Sequence, residues 1–178
     1  DRVGYMRGVG YPYYTYRPVV QQIGRGFLFF SPFFGSGGDG VHDGKGAVTW
    51  IDPATGLLAN GLTGGVVSPA NSIVGANHGD QIGALPSGEA FLQTWGNTAL
   101  VLSTAFGANK GSATWIDGNT GKLSDGTSTG GIVSAANSFV GSTSGDSTNT
   151  RWESTDNGYL FLLPEWNNGR GALTWIDM

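Results

Sequence analysis

The side chains that could carry acid–base or metal chemistry are few and scattered. His42 and His78 stand in Gly-rich turns with Asp43 and Asp80 nearby, a pairing able to bind a metal or share a proton. Neither pair recurs in the rest of the chain, so both read as solvated loops. Asp39 and Asp43 sit among glycines and faintly echo Gly-Asp calcium loops, but a hard cation takes about six to eight oxygen ligands. A hairpin tip is the favoured reading, with weak calcium binding as the alternative. Gly35-Ser36-Gly37-Gly38-Asp39-Gly40 satisfies G-x-G-x-x-G, yet the next residues, Val41 to Gly46, cannot start the helix that faces a pyrophosphate. Gly44-Lys45 lacks the earlier Gly and the following Ser or Thr of a Walker loop. Cys is absent, which removes a thiol nucleophile, thiolate zinc and disulfides together. Glu89, Glu153 and Glu165 share no position. The expectation is a protein without catalytic residues, cofactor or metal.

The aromatic residues are more orderly. Trp50, Trp115 and Trp175 are each preceded by Thr and followed by Ile-Asp, a recurrence that suits packing between repeated units, where each ring can bury about 150–250 Å². Trp95, Trp152 and Trp166 fall out of step with that motif and are the candidates for glycan contact. Near the start, Tyr5, Tyr11, Tyr13, Tyr14 and Tyr16 are interleaved with Arg2, Arg7 and Arg17. Tyr and Arg are enriched at interface hot spots, so this arm is expected to dock onto a neighbouring subunit.

The elements that must position these residues are set by composition. Gly supplies 32 of 178 residues, well above the usual share of about 7%. Each internal Gly costs a helix about 1 kcal/mol relative to Ala, so a helical bundle is excluded and an all-β chain rich in turns is expected. The net charge of −4 disfavours nucleic acid, which needs a basic face. No apolar run reaches the ~18 residues of a membrane span.

Repetition supplies the plan. Gly46-Ala47-Val48-Thr49-Trp50-Ile51-Asp52 returns at Gly111 to Asp117 and at Gly171 to Asp177, with the Trp residues 65 and 60 positions apart. Thr63 to Gly75 returns at Thr129 to Gly141, both ending Asn-Ser-apolar-Val-Gly. Apolar runs precede each Trp segment at Gly26–Phe34, Thr98–Phe106 and Gly158–Trp166. Three tandem copies result: 1–79, whose first 23 or so residues form the Tyr/Arg arm; 80–145; and a partial copy, 146–178. The apolar runs read as strands buried on both faces, Ala-Val-Thr-Trp-Ile-Asp as an alternating strand, and Val66-Val67, Ile132-Val133, Ile73-Val74 and Phe139-Val140 as short strands. Such a unit cannot bury its own apolar face. It needs neighbours, arranged as propeller blades or as an open β stack or solenoid. The Asn-Ser-Val-Gly hairpin occurs twice and the Trp strand three times, so the third hairpin is expected from a longer polypeptide or the next subunit.

The pattern Asp-x-x-Gly, apolar strand, Gly-Ala-Val-Thr-Trp, then Ala-Asn-Ser-apolar-Val-Gly resembles repeats of large bacterial exoproteins of the filamentous-haemagglutinin and adhesin type. It also looks like blades of the integrin-type propeller, without their calcium loop. The resemblance implies a secreted, cell-surface role. The resulting expectation is an extracellular structural protein that assembles head to tail with copies of itself into a fibre or scaffold. The alternative is a carbohydrate-binding adhesin module.

Overall fold

The computed structural model describes residues 19–35, 44–84, 92–147, 150–155 and 157–177, with only the backbone of residues 176 and 177. The arm residues Tyr5, Tyr11, Tyr13, Tyr14, Tyr16, Arg7 and Arg17 lie outside these, as do Asp39, His42, Asp43 and Glu89.

The described residues are all-β. Each copy contributes a three-stranded antiparallel meander: β1 (Val19–Ile23), β2 (Gly26–Ser31) and β3 (Ala47–Ile51) in the first; β5 (Leu92–Trp95), β6 (Thr98–Ser103) and β7 (Ser112–Asp117) in the second; β10 (Arg151–Thr155), β11 (Gly158–Leu163) and β12 (Ala172–Asp177) in the third. Short strands follow the Trp strands: β4 (Ile73–Val74), β8 (Gly131–Ile132) and β9 (Phe139–Val140). The sheet orders are β1-β2-β3-β4-β8, β5-β6-β7-β9 and β10-β11-β12. All three sheets are open, and no ring of blades closes among the described residues.

The sheets stack by their faces. Leu28, Phe30, Val48 and Trp50 of the first sheet share a core with Ala99, Val101 and Ile116 of the second. The alternate residues of that second sheet, Leu100, Leu102 and Ala113, share another with Tyr159, Phe161 and Leu163 of the third. Strand periodicity of two makes this possible, since successive side chains leave opposite faces. It also corrects the expectation that every apolar run is buried on both sides. Only the middle strand, β6, is covered that fully. In β2, Leu28 and Phe30 are buried while Phe27 and Phe29 are half-buried, and in β11, Leu162 is exposed. Among the described residues the outer sheets have a neighbouring sheet on one face alone.

A second correction concerns Val66-Val67. The segment forms no strand, although its counterpart does, because β8 has β4 to pair with in parallel and Val66 has no such partner. Conversely β1, β5 and β10 carry no strong sequence signal. Gln21, Gln22, Glu153 and Ser154 are exposed on these edge strands, so their polar composition hides them.

A left-handed residue follows the large aromatic at the end of each apolar run. Gly35, Gly107 and Asn167 hold φ of 73°, 61° and 51° at equivalent places, where Gly and Asn are best tolerated.

Candidate assembly interface

The joint between the first and second copies is built from the repeated motifs. Asp52 and Asp117, the last residues of the Trp segment, open the next turn: the Asp52 carboxylate accepts from the Ala54 amide at 2.9 Å and that of Asp117 from the Asn119 amide at 2.7 Å. The turn of the second copy is thereby laid over the Trp of the first. Trp50 Nε1 donates to the Gly118 carbonyl at 2.9 Å, and the Gly26 amide donates to the same oxygen at 3.0 Å. Close approach dictates glycine here, since a Cβ on Gly121 would lie 2.6 Å from the Trp50 ring and one on Gly26 would overlap Nε1. Arg25 closes the rim through Nε to the Asn119 carbonyl at 2.6 Å.

Further along, the second copy extends a tongue, Gly130-Gly131-Ile132-Val133, along the edge of β4. Gly131 N donates to Ser72 O and Val133 N to Val74 O, each at 3.0 Å. The Asn-Ser motif explains itself in this place. Asn71 accepts from the Ser68 amide and donates Nδ2 to the Val66 carbonyl at 3.1 Å, and Asn137 repeats both bonds with Ser134 and Ile132. The Ser72 hydroxyl donates to Asn71 Oδ1 and therefore accepts from Thr49 Oγ1, at 2.7 Å; Ser138 and Thr114 do the same. Thr49 and Thr114 thus each anchor the hairpin of their own copy.

The Asp that opens each copy forms a latch. Asp80 accepts from the Asn77 amide, at the end of the first copy, and from the Gly107 amide, in the turn of the second, at 2.8 and 2.9 Å. Asp146 makes the corresponding bonds to Thr143 and Asn167. Burial works against ionisation of Asp146, but hydrogen bonds from Thr143, Ser142 and the Asn167 amide outweigh it and hold the carboxyl well below the usual carboxylate range. On the exposed loop of the second copy, hydrogen bonds from the Ser128 side chain and the Ser128 and Thr127 amides lower Asp125 to about 2.

The three repeated Trp residues differ in what covers them. Trp50 is buried between copies. Trp115 is half-buried against the second core, and its Nε1 is buried with no hydrogen-bond partner. Trp175 is 45% exposed and joins neither core among the described residues; with Leu162 and Leu173, which are 42% and 64% exposed, it occupies the face that the first two sheets bury. Among the glycan candidates, Trp95 is 38% exposed at the end of β5, whereas Trp152 and Trp166 are half-buried against the second core. Trp166 also falls into step after all. It stands in the same turn position as Phe34 and Phe106, whose carbonyls likewise accept from the Gly ahead of the Trp strand. His78 is exposed, and the neighbouring Asp80 accepts from the Asn77 and Gly107 backbone amides. Among the described residues no three metal-ligating side chains come together, and no helix is long and apolar enough to cross a membrane.

A cavity of about 270 Å³ separates the second and third sheets, lined by Leu102, Ala113, Phe139, Trp152, Phe161 and Leu163. At the first joint the buried Ile82 lies beside the equivalent strands, bridged to Gly46. Its counterpart, Thr148, lies outside the described residues.

The fold and joints define a β-repeat protein whose units complete one another. A family profile described as a repeat of unknown function (DUF5650) matches residues 36–84 and 93–150, more than half of the chain, and the chain belongs to that family. No curated protein and no solved structure matches it significantly.

Proposed function

We propose that this chain is a non-enzymatic structural repeat protein of the cell exterior that assembles head to tail with further copies of itself into a fibre or scaffold. One observation carries the reading. The outer face of the third sheet presents Leu162, Leu173 and Trp175 to solvent at the positions that are turned inward, against the next sheet, in both preceding copies. Exposed apolar patches of this kind mark interaction sites, and the complementary face is present on the same molecule as half-buried Phe27 and Phe29 of β2 and exposed Val20 of β1. A surface that fits a different surface of an identical molecule generates open, linear assembly rather than a closed dimer. The exterior location rests on the resemblance to bacterial exoprotein repeats and on the lack of Cys. A light-scattering concentration series tests the reading. Mass should rise with concentration, and a discrete monomer at every dilution would remove it.

Trp95, exposed at the tip of β5, keeps the carbohydrate-binding adhesin as the second reading. Glycan-array binding that disappears in Trp95→Ala would favour it over the scaffold.

A further inference from the structure

The first joint shows what the second copy is shaped to receive. At the first joint the tongue of the second copy covers β4, and there Ile73, Val74, Asn71 and Ser72 are all buried, each at 5% exposure or less. In the second copy the equivalent strand β9 is a sheet edge among the described residues, and Phe139, Val140, Asn137 and Ser138 are only half-buried. Trp50 Nε1 has the Gly118 carbonyl, whereas Trp115 Nε1 is buried without any acceptor. A buried unpaired indole N–H carries a desolvation cost that a docked carbonyl would remove. Two independent features of the second copy, a strand edge without a partner among the described residues and an orphaned donor, match two kinds of contact made at the first joint: strand pairing by the tongue and a turn carbonyl on the Trp.

The donor side shows the same incompleteness. Gly130 must be glycine, because a Cβ there would stand 2.7 Å from Ser72 N and O. Gly64, its counterpart in the first copy, has nothing within 4 Å of where a Cβ would be and lacks a positive φ that would require glycine. Val67 is half-buried where Val133 is 2% exposed. Yet this undocked tongue already has the docked shape: Gly65 and Gly131 hold φ of 134° and 142°, and Asn71 and Asn137 grip the same carbonyl in each. A tongue that is preformed loses less conformational freedom on binding.

We propose that the edge of β9 is a receptor for the Gly-Gly-apolar-Val tongue of a further repeat of this family, which adds in parallel as β8 adds to β4, while Trp115 donates to a carbonyl of the turn preceding that tongue as Trp50 does to Gly118. By the register of the first joint, in which Ile73 faces Gly131 and Val74 faces Ile132, Phe139 faces the second glycine of the tongue and Val140 the apolar residue after it. Main-chain bonds give this strand addition its affinity, and the glycine that clears the partner backbone gives it specificity. The partner class rests on the assembly reading, but the joint is at a sheet edge and is separable from the stacking of sheet faces.

The probe is a synthetic peptide with the sequence of residues 118–141, added to the whole chain. Saturable binding is expected, with a change in Trp115 emission that is lost in Trp115→Phe, and at least tenfold weaker binding by the Gly130→Val peptide. Since the chain contains no Cys, register can be trapped directly. A Val140→Cys chain should form a disulfide with the Ile132→Cys peptide severalfold faster than with the Val133→Cys peptide, even when binding is weak. Equal trapping of the two, or equal binding by the Gly130→Val peptide, would overturn the receptor. If the peptide fails while mass still rises with concentration, the edge joint is wrong and face stacking stands. Peptide capture by a chain that never self-associates keeps the edge joint and removes face stacking.

Discussion

At the scale of single residues, repetition separates groups that look alike in sequence but carry different loads. Gly64 and Gly130 occupy the same motif position, yet only Gly130 lies against a backbone. Gly130→Val should therefore lower stability by about 2–3 kcal/mol, as forced displacement of packed backbone does, while Gly64→Val stays within about 0.5 kcal/mol. Parallel urea titrations check the difference. The Trp pair should diverge similarly. Trp50→Phe removes a satisfied buried bond and should cost about 1–2 kcal/mol, whereas Trp115→Phe deletes an unpartnered N–H and should cost less. Asp146 supplies a pH dependence. Its carboxyl is depressed in the folded chain, so the unfolded chain binds the proton more readily and the latch contributes fully above the ordinary value near 4. That contribution drains away as pH falls below about 4. Asp146→Asn should melt about 4 °C or more below the parent at pH 7, and the gap should narrow steadily between about pH 4 and 2.

Among the elements, burial on one or two faces decides rank. Strand β6 is buried along nearly its whole length because it serves two cores, while β11 and β2 serve one each. Local opening free energy follows buried contact, so amides of β6 and β7 should exchange slowest and those of β10 and β12 fastest among the central meanders. Hydrogen exchange read by mass spectrometry or NMR checks the order. The short strands obey a different rule. β4, β8 and β9 are two residues each and persist only by pairing with a longer neighbour or with one another, which is why Val66-Val67, chemically the same segment as Ile132-Val133, remains irregular.

For the whole molecule, the question is what covers the ends of the stack. Leu173 and Trp175 project from the third sheet with no core of their own, so Leu173→Glu with Trp175→Glu should leave the melting temperature within about 2 °C and abolish the concentration-dependent rise in mass. Loss of fold in that variant would instead mean that these residues are covered within one chain. Deleting residues 1–17, the Tyr/Arg arm, should also abolish assembly if the arm docks onto a neighbour; assembly that survives the deletion would leave the sheet faces as the sufficient contact.

Local chemistry was legible from residue order. The excess of Gly, the alternation in Ala-Val-Thr-Trp-Ile and the recurrence of Asn-Ser-apolar-Val-Gly determine an all-β chain of tandem units, because turn preference and side-chain alternation act over a few residues. Sequence order also marked Trp50 as a packing residue and the Asn-Ser hairpin as a repeated device. It did not reveal that Asp80 and Asp146 latch adjacent copies, that β1, β5 and β10 exist, or that Trp152 and Trp166 turn inward. Nor did it distinguish Trp50 from Trp175 or Gly130 from Gly64. Those distinctions depend on which neighbour lies across the sheet face or along the strand edge, and identical motifs acquire different burial only when the chain is folded and one unit has a companion that another lacks.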